Sequence, residues 1–409
     1  MDNLSHTVAG LLAGELLHRS LPAEADTGRH ALRRTLMLTT CALAGNFPDL
    51  DVVLTPLLPA PLGYLLHHRG HTHTVLYAFP QAMLLALLVY LLWPSARRLL
   101  RHSASARTGF GLHLLMDYLN SYGLHPFHPF NSGWVYGDMV FILEPVFWVA
   151  FGIPMVMTLR RPGLRWLLLL AAPLTLAFFA WRGFLAWQSL AGLLATGLLL
   201  ALAGARERRS ALALPLGAAA LGLAFVGTQS LASHQARALV GSDLHSRDPK
   251  AQLLDAAMSP YPANPACWTF VAVESRTDSG QYRISRGVLS LAPAIMPVSA
   301  CPSAFADPAL APDRQALVLL SQRDYSLERL RRLASDDCYF TDWLRFARMP
   351  ALDADSASDA RFASTPRGNF STLPLHEPAR RACLSGVPQW TMPRADLLAP
   401  AASAAAVHD

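Results

Sequence analysis

Long apolar runs fill the first part of this chain, and short alternating ones replace them after about residue 234. Residues 75–93, 139–158, 184–203 and 211–231 are each long enough to cross a bilayer as a helix. Residues 164–181 are apolar too, though shorter and interrupted by Pro173. Residues 4–17, 31–45 and 108–122 differ, being short or carrying polar groups. That is the pattern of membrane helices grouped around a site, not of lipid-facing anchors. In the tail, 268–273 and 282–291 flank Thr277, Asp278, Ser279 and Gly280 and predict a hairpin. Leu327, Leu330 and Leu333 give 313–348 a mainly helical pattern. Residues 351–372, and those from Ala399 onward, predict loop or disorder. The fold class expected is mainly α, a polytopic helical membrane domain with a C-terminal α+β extramembrane domain. Its sections are 1–150 with the polar helices, 151–233 with additional spans, and the tail 234–409.

Composition supports the membrane assignment. Of the 409 residues, 52% are hydrophobic and 15% charged, where a soluble protein averages about 25% charged. The net charge of +6 comes mostly from Arg in short runs between apolar segments. Such runs are topology signals and not a nucleic-acid patch, so no nucleic-acid partner is expected. Arg29, Arg33 and Arg34 form one group; Arg97, Arg98, Arg101 and Arg107 a second; Arg160, Arg161 and Arg165 a third; Arg206, Arg208 and Arg209 a fourth. Simple alternation of the helices places all four in the cytoplasm. The same alternation places His6, Asp49, Asp51, residues 67–73, the 123–138 loop and the tail on the opposite face. A cleavable signal peptide is not expected, because the first apolar stretch lacks a basic start and contains His6 and Glu15. Cys267, Cys301, Cys338 and Cys383 all lie in the tail, which predicts two disulfides on the oxidising side in any of three pairings.

Ionisable groups inside membrane segments are costly and mark function. His113 and Asp117 lie four apart, on one face of a helix, where both can reach one ion. Asn46, Pro48, Asp49 and Asp51 close the preceding polar helix, offering two carboxylates. His67, His68, Arg69, His71 and His73 fall within seven residues. Arg69 beside such ligands suits a phosphate or carboxylate on a substrate. His6 is followed by Gly10 and Gly14, which let another helix approach closely. His125, His128, Asp138 and Glu144 are candidates for supporting partners, a second site or a general base. Trp134 and Tyr136 read as interfacial aromatics.

The order of these pieces resembles the YdjM-like family of membrane-bound metal-dependent hydrolases. It is carried by His6, Thr7 and Gly10; by Pro48, Asp49 and Asp51; by His68, Arg69, Gly70, Thr72 and His73; and by Gly109, His113, Asp117 and Gly123. The likeness covers roughly the first 150 residues. That family is distantly similar to zinc-dependent phospholipases C and single-strand nucleases, whose helices hold zinc through His and Asp. The resemblance implies that Asp49 or Asp51, His68 or His73, His113 and Asp117 hold one metal, with His6 and a bridging Asp117 holding another. Thr74 stands where the family has Ser, and Asn120 where it has Thr. Asn264 to Trp268 and Asp359 to Phe362 are similar to short pieces of some longer members.

The function expected is hydrolysis of a phosphoester or ester of a lipid or envelope component by metal-activated water. The cofactor is a divalent metal, Zn2+ first and Mn2+ or Fe2+ next. The metal ligands are drawn from His6, Asp49, Asp51, His68, His73, His113 and Asp117, and the catalytic groups from Asp49, Arg69 and Glu144. The location expected is the bacterial inner (plasma) membrane, multi-pass, with membrane lipids as partners and the site and tail extracytoplasmic. The alternatives are a metal-ion transporter or sensor, or a membrane scaffold with a structural metal.

Overall fold

The computed structural model describes residues 1–22, 24–95, 97, 104–206, 211–304, 315–362, 369–375 and 382–399. Arg98, Arg101, Arg208 and Arg209 of the basic runs, and the end of the chain from 400, lie outside them.

The two polar helices at the start, α1 (Asn3–Ser20) and α2 (Thr27–Ala44), pack directly on each other. A Cβ at Gly10 would meet the Cys41 carbonyl at 2.6 Å, so only glycine permits that approach. A 3-10 segment, Pro48–Leu57, follows, then the short α3 (Leu62–His67), a 3-10 turn His71–His73, and α4 (Val75–Leu92). Thr74 caps α4 by accepting from the Tyr77 N–H. Next, α5 (Ala104–Tyr118) packs on α2, with Gly109 against Ala44 and Cys41.

α6 (Pro145–Met157), α7 (Pro162–Trp181), α8 (Trp187–Arg206) and α9 (Ala213–Arg247) complete the helical part. Helices α4, α7, α8 and α9 are long and apolar enough to cross a membrane. The expected span 139–158 is shorter: α6 has 13 residues, about 20 Å of helix against a core of about 30 Å. The positions before it are held as a loop, because the Met139 and Val140 N–H groups donate to the Leu119 carbonyl. The segment 164–181, expected to be short, forms a 20-residue helix with Pro173 inside it. α9 continues beyond residue 231; Ala232, Ala236, Val240 and Leu244 recur every four residues and pack on Met258, Trp268 and Phe270 of the tail.

The tail opens with an antiparallel sheet of β1 (Gln252–Tyr261), β2 (Asn264–Arg276), β3 (Gln281–Ser290) and β4 (Leu317–Ser326), in sequence order. The expected hairpin is the β2–β3 pair. The helical reading of 313–348 is correct only from Leu327, where α10 (Leu327–Asp336) and α11 (Cys338–Leu344) begin. Residues 317–326 instead pair with the free edge of β3. Loop or disorder was expected across 351–372; residues 363–368 lie outside the described residues, but 351–352 and 356–359 belong to β5 (Pro350–Leu352) and β6 (Ser356–Asp359), which form a small sheet with β7 (Leu373–Pro374), before α12 (Ala395–Leu398). Two disulfides are present, Cys267–Cys301 and Cys338–Cys383, with Cα separations of 5.9 and 5.7 Å.

The tail does not stand apart from the helices. Its main core joins Phe340, Trp343, Phe346 and Trp390 to Leu62, Leu65 and Leu66 of α3 and to Tyr122. Trp134 and Tyr136, expected at a lipid interface, serve this junction. The Trp134 Nε1–H donates to the Arg345 carbonyl, and Tyr136 lies under the Arg348 guanidinium at 4.0 Å.

Candidate metal centre

Three elements converge to form the site. α5 presents His113 and Asp117 one turn apart; the turn His71–His73 presents His73; the 3-10 segment after α2 presents Asp49. One ligand atom from each of these four lies within 4.8 Å of all the others. His73 Nε2 is 3.3 Å from Asp49 Oδ1, 3.2 Å from Asp117 Oδ2 and 3.0 Å from His113 Nε2. His113 Nε2 is 3.5 Å from Asp117 Oδ2 and 3.8 Å from Asp49 Oδ1. Atoms bound to a tetrahedral ion at about 2.1 Å lie about 3.4 Å from each other, and these spacings bracket that value.

The tautomers decide what the cluster is. His113 Nδ1 is 2.7 Å from the Gly45 carbonyl, which can only accept, so Nδ1 carries the proton and Nε2 a lone pair. His73 Nδ1 faces Asp51 Oδ2 at 3.3 Å and Thr72 Oγ1 at 3.0 Å. The Thr72 hydroxyl proton goes to Asp51 at 2.7 Å, so both neighbours accept and His73 Nδ1 must donate. Two imidazole lone pairs and two carboxylate oxygens therefore face one point. Asp117 Oδ2 is buried and finds no hydrogen-bond donor among the described residues. Such a set fits a cation, and the supported imidazoles are oriented as metal ligands are. With no ion bound, burial works against charge on His73, but the Asp117, Asp49 and Asp51 carboxylates outweigh it and raise its pKa to about 10, so a bound cation would take the place of the proton on Nε2. The same field attracts a metal ion.

Of the other expected residues, Asp51, Arg69, His6 and His68 surround this group. Asp51 is a buttress: it faces His68 Nδ1 at 2.8 Å and accepts the Arg69 N–H at 3.0 Å, besides its bonds to Thr72 and His73. Burial disfavours the Asp51 charge, but His68 and His73 hold its carboxyl well below the usual range. Arg69, at φ 57°, is buried with its guanidinium 3.0 Å from Asp117 Oδ1 and 3.1 Å from Asn120 Oδ1, and it lies over the Tyr122 ring. It neutralises and orients Asp117. His6 stacks on His113 at 4.2 Å, with Nε2 3.3 Å from Asp117 Oδ1, beside the four and outside their convergence. His68 bonds Asp51 and stacks on Tyr64. Glu144 lies elsewhere, capping α6 and accepting the N–H groups of Val146 and Ala263. His125 is sandwiched by Trp134 and Trp390, and His128 bonds Ser132.

Thr72, the Gly45 carbonyl, Asn120 and Tyr122 complete the site without having been singled out as partners. Asn120 was visible only as a departure from the family pattern, and a backbone carbonyl leaves no mark in a sequence.

The family model described as YdjM inner membrane protein matches residues 1–188. The Bacillus subtilis (strain 168) protein described as "Uncharacterized protein YfhP" is 26% identical over 150 residues, 37% of this chain and 44% of that protein. The matched region is thus less than half of that relative's length. No solved structure matches the chain. Over residues 1–188, which hold all four converging donors, this chain matches the YdjM inner membrane protein family.

Proposed function

We propose that this protein is a membrane-bound metal-dependent hydrolase acting on a phosphoester or ester of a lipid or envelope component. One observation carries the reading: Asp49, His73, His113 and Asp117 aim four acceptor atoms at one point. Two imidazoles with two carboxylates suit zinc, with manganese or iron next. When bound, the ion supplies Lewis-acid polarisation of the ester and of the attacking water.

The protein's own groups would do the rest. Arg69 and Asn120 hold Asp117 in place, and Asp51 with Thr72 holds His73. Of the four donors, Asp49 alone keeps accessible side-chain surface, 14% against 0% for the other three. Asp49 is therefore the carboxylate placed to take the proton from water. The water oxygen bonds to phosphorus or to the acyl carbon, and the ester oxygen leaves with a proton. Arg69 is committed to Asp117, which favours positioning over substrate binding for this side chain, and Glu144 has no part in these steps. The basic runs support an extracytoplasmic site and tail. The donors lie at one level and do not continue along α7, α8 and α9, which supports chemistry over ion conduction.

The test is metal content and hydrolysis of the detergent-purified protein beside His113→Ala and Asp117→Ala. One or more equivalents of metal, lost with activity in both variants, is the expected result. Full turnover in Asp117→Ala, or metal uptake into liposomes without any hydrolysis, would overturn the reading.

A further inference from the structure

The segment that supplies Asp49 has a second face. On its inner side, Asp51 is tied to His68, Arg69 and Thr72, and a Cβ at Gly63 of α3 would lie 1.9 Å from the Thr55 carbonyl. The segment is thus pinned against the site. Its outer side exposes Leu50 (55%), Val53 (71%) and Leu57 (67%). In a 3-10 helix residues three apart eclipse, so Leu50 and Val53 form one apolar edge, directly beside Asp49.

The level of this edge is set by what it touches. Thr72, bonded to Asp51, is three residues before the first residue of α4, a helix able to span the membrane. The Val75 N–H of α4 donates to the Pro126 carbonyl at 2.9 Å, and the loop that follows exposes Phe127 and Phe130, the latter 90%. Val75, Leu76 and Phe79 continue the exposed apolar surface down α4. The apolar edge at 50–57, the loop tip and the first turn of a membrane span therefore form one surface at one end of that span. A soluble face rarely exposes so many large apolar groups together.

We propose that residues 50–57, with Phe127 and Phe130, lie in the headgroup and upper acyl layer of the bilayer, and that the metal centre opens at Asp49 onto that layer. The substrate class is then the headgroup ester of a membrane lipid entering sideways from the leaflet, not an ester diffusing from water. The occupant of the surface is lipid because the surface adjoins the first turn of a membrane span, to which Asp51, through Thr72, and Pro126 are tied. The substrate half of this proposal rests on the hydrolase reading above; the membrane contact does not.

Two measurements separate these halves. Cys41 is the free cysteine among the described residues and is buried, so a nitroxide can be placed selectively at Val53→Cys. Phe79→Cys in α4 and Ser279→Cys in the exposed β2–β3 turn serve as references. In proteoliposomes of phosphatidylethanolamine and phosphatidylglycerol, the Val53 label should collide with oxygen more than with a water-soluble chromium complex, as the Phe79 label does. A Val53 label that behaves like the Ser279 label, or that is shielded from both reagents by a second copy, overturns the membrane contact. The second measurement compares hydrolysis of these vesicle lipids with hydrolysis of bis-p-nitrophenyl phosphate for Val53→Asp with Leu57→Asp. The expected result is loss on vesicles of about tenfold or more, the scale of one apolar side chain's transfer, with soluble-ester hydrolysis and metal content kept. Equal rates on both substrates in the variant and the wild type overturn lateral entry. Wild-type protein that hydrolyses neither removes the hydrolase reading, while the label still decides the surface.

Discussion

Two buried charge clusters in this molecule are built to opposite rules. At the junction of helices and tail, Asp138 meets Arg348 at 2.8 Å and Arg237 at 2.7 Å, while Asp255 meets Arg348 at 2.7 Å. Every carboxylate there faces a guanidinium. At the metal centre, Asp49 and Asp117 Oδ2 face imidazole lone pairs, and the one guanidinium, from Arg69, is spent on the other oxygen of Asp117. The first cluster is complete as it stands and joins segments distant in sequence. The second leaves Asp117 Oδ2 buried with no hydrogen-bond donor among the described residues, and its donor set fits a cation. Burial of charge alone therefore does not identify a site; whether donors and acceptors balance does.

The largest effect that tests this contrast is at Asp117. Asp117→Asn removes the charge that two imidazoles, Arg69 and His6 surround, and bound metal should fall to background in a mass-spectrometric assay. Arg348→Met should leave metal content unchanged but destabilise the protein, because it removes the buried guanidinium shared by Asp138 and Asp255 and leaves them the half-exposed Arg237. Breaking a buried pair costs about 3–5 kcal/mol, readable in denaturant unfolding. If Arg348→Met instead released metal at full folding, the two clusters would not be independent. Asp51→Asn should be milder, since it weakens the support of His73 and not a ligand. Loss of a supporting partner costs about 10–100-fold in metal affinity, measured by competition with a chelator.

The smallest effect concerns pH at the junction. Burial between Trp134 and Trp390 lowers the His125 pKa to about 3 from its ordinary 6.5. The folded protein keeps this imidazole neutral, whereas the unfolded chain takes up a proton below 6.5. Its contribution to stability is thus full above pH 6.5 and declines as pH falls toward 3. The decline is at most about 1.4 kcal/mol per pH unit for one group. His125→Phe should flatten that part of the stability profile relative to wild type, and an unchanged slope between pH 6.5 and 5 would contradict the assignment.

Much of the site was legible along the chain. The four-residue spacing of His113 and Asp117 survives in the structure because α5 is a regular helix there. The pairs left open, Asp49 or Asp51 and His68 or His73, could not be decided from spacing. Asp49 and Asp51 share one 3-10 segment, while His68 caps α3 and His73 lies in the 3-10 turn after it, and which member of each pair points inward depends on the neighbouring turn. Arg69 shows the same limit: its charge was visible, but not that Asp117 and Asn120 would hold it. The strand at 317–326 was misread because its pattern is only weakly alternating and the unpaired edge of β3, not its own residues, makes it a strand.

The sequence by itself determined that this is a membrane protein, that polar helices near its start carry His and Asp, and that four of the five cysteines lie in the tail. Those properties follow from local quantities: run length, composition and periodicity. Tertiary structure alone decided which His and Asp converge, which of them brace the others, and that the tail shares its core with α3. It also decided that Arg361 of the tail reaches the carbonyls of Ser121 and Tyr122 beside the site. These depend on contacts between residues tens to hundreds of positions apart, where direction and distance, and not residue type, determine what a side chain does.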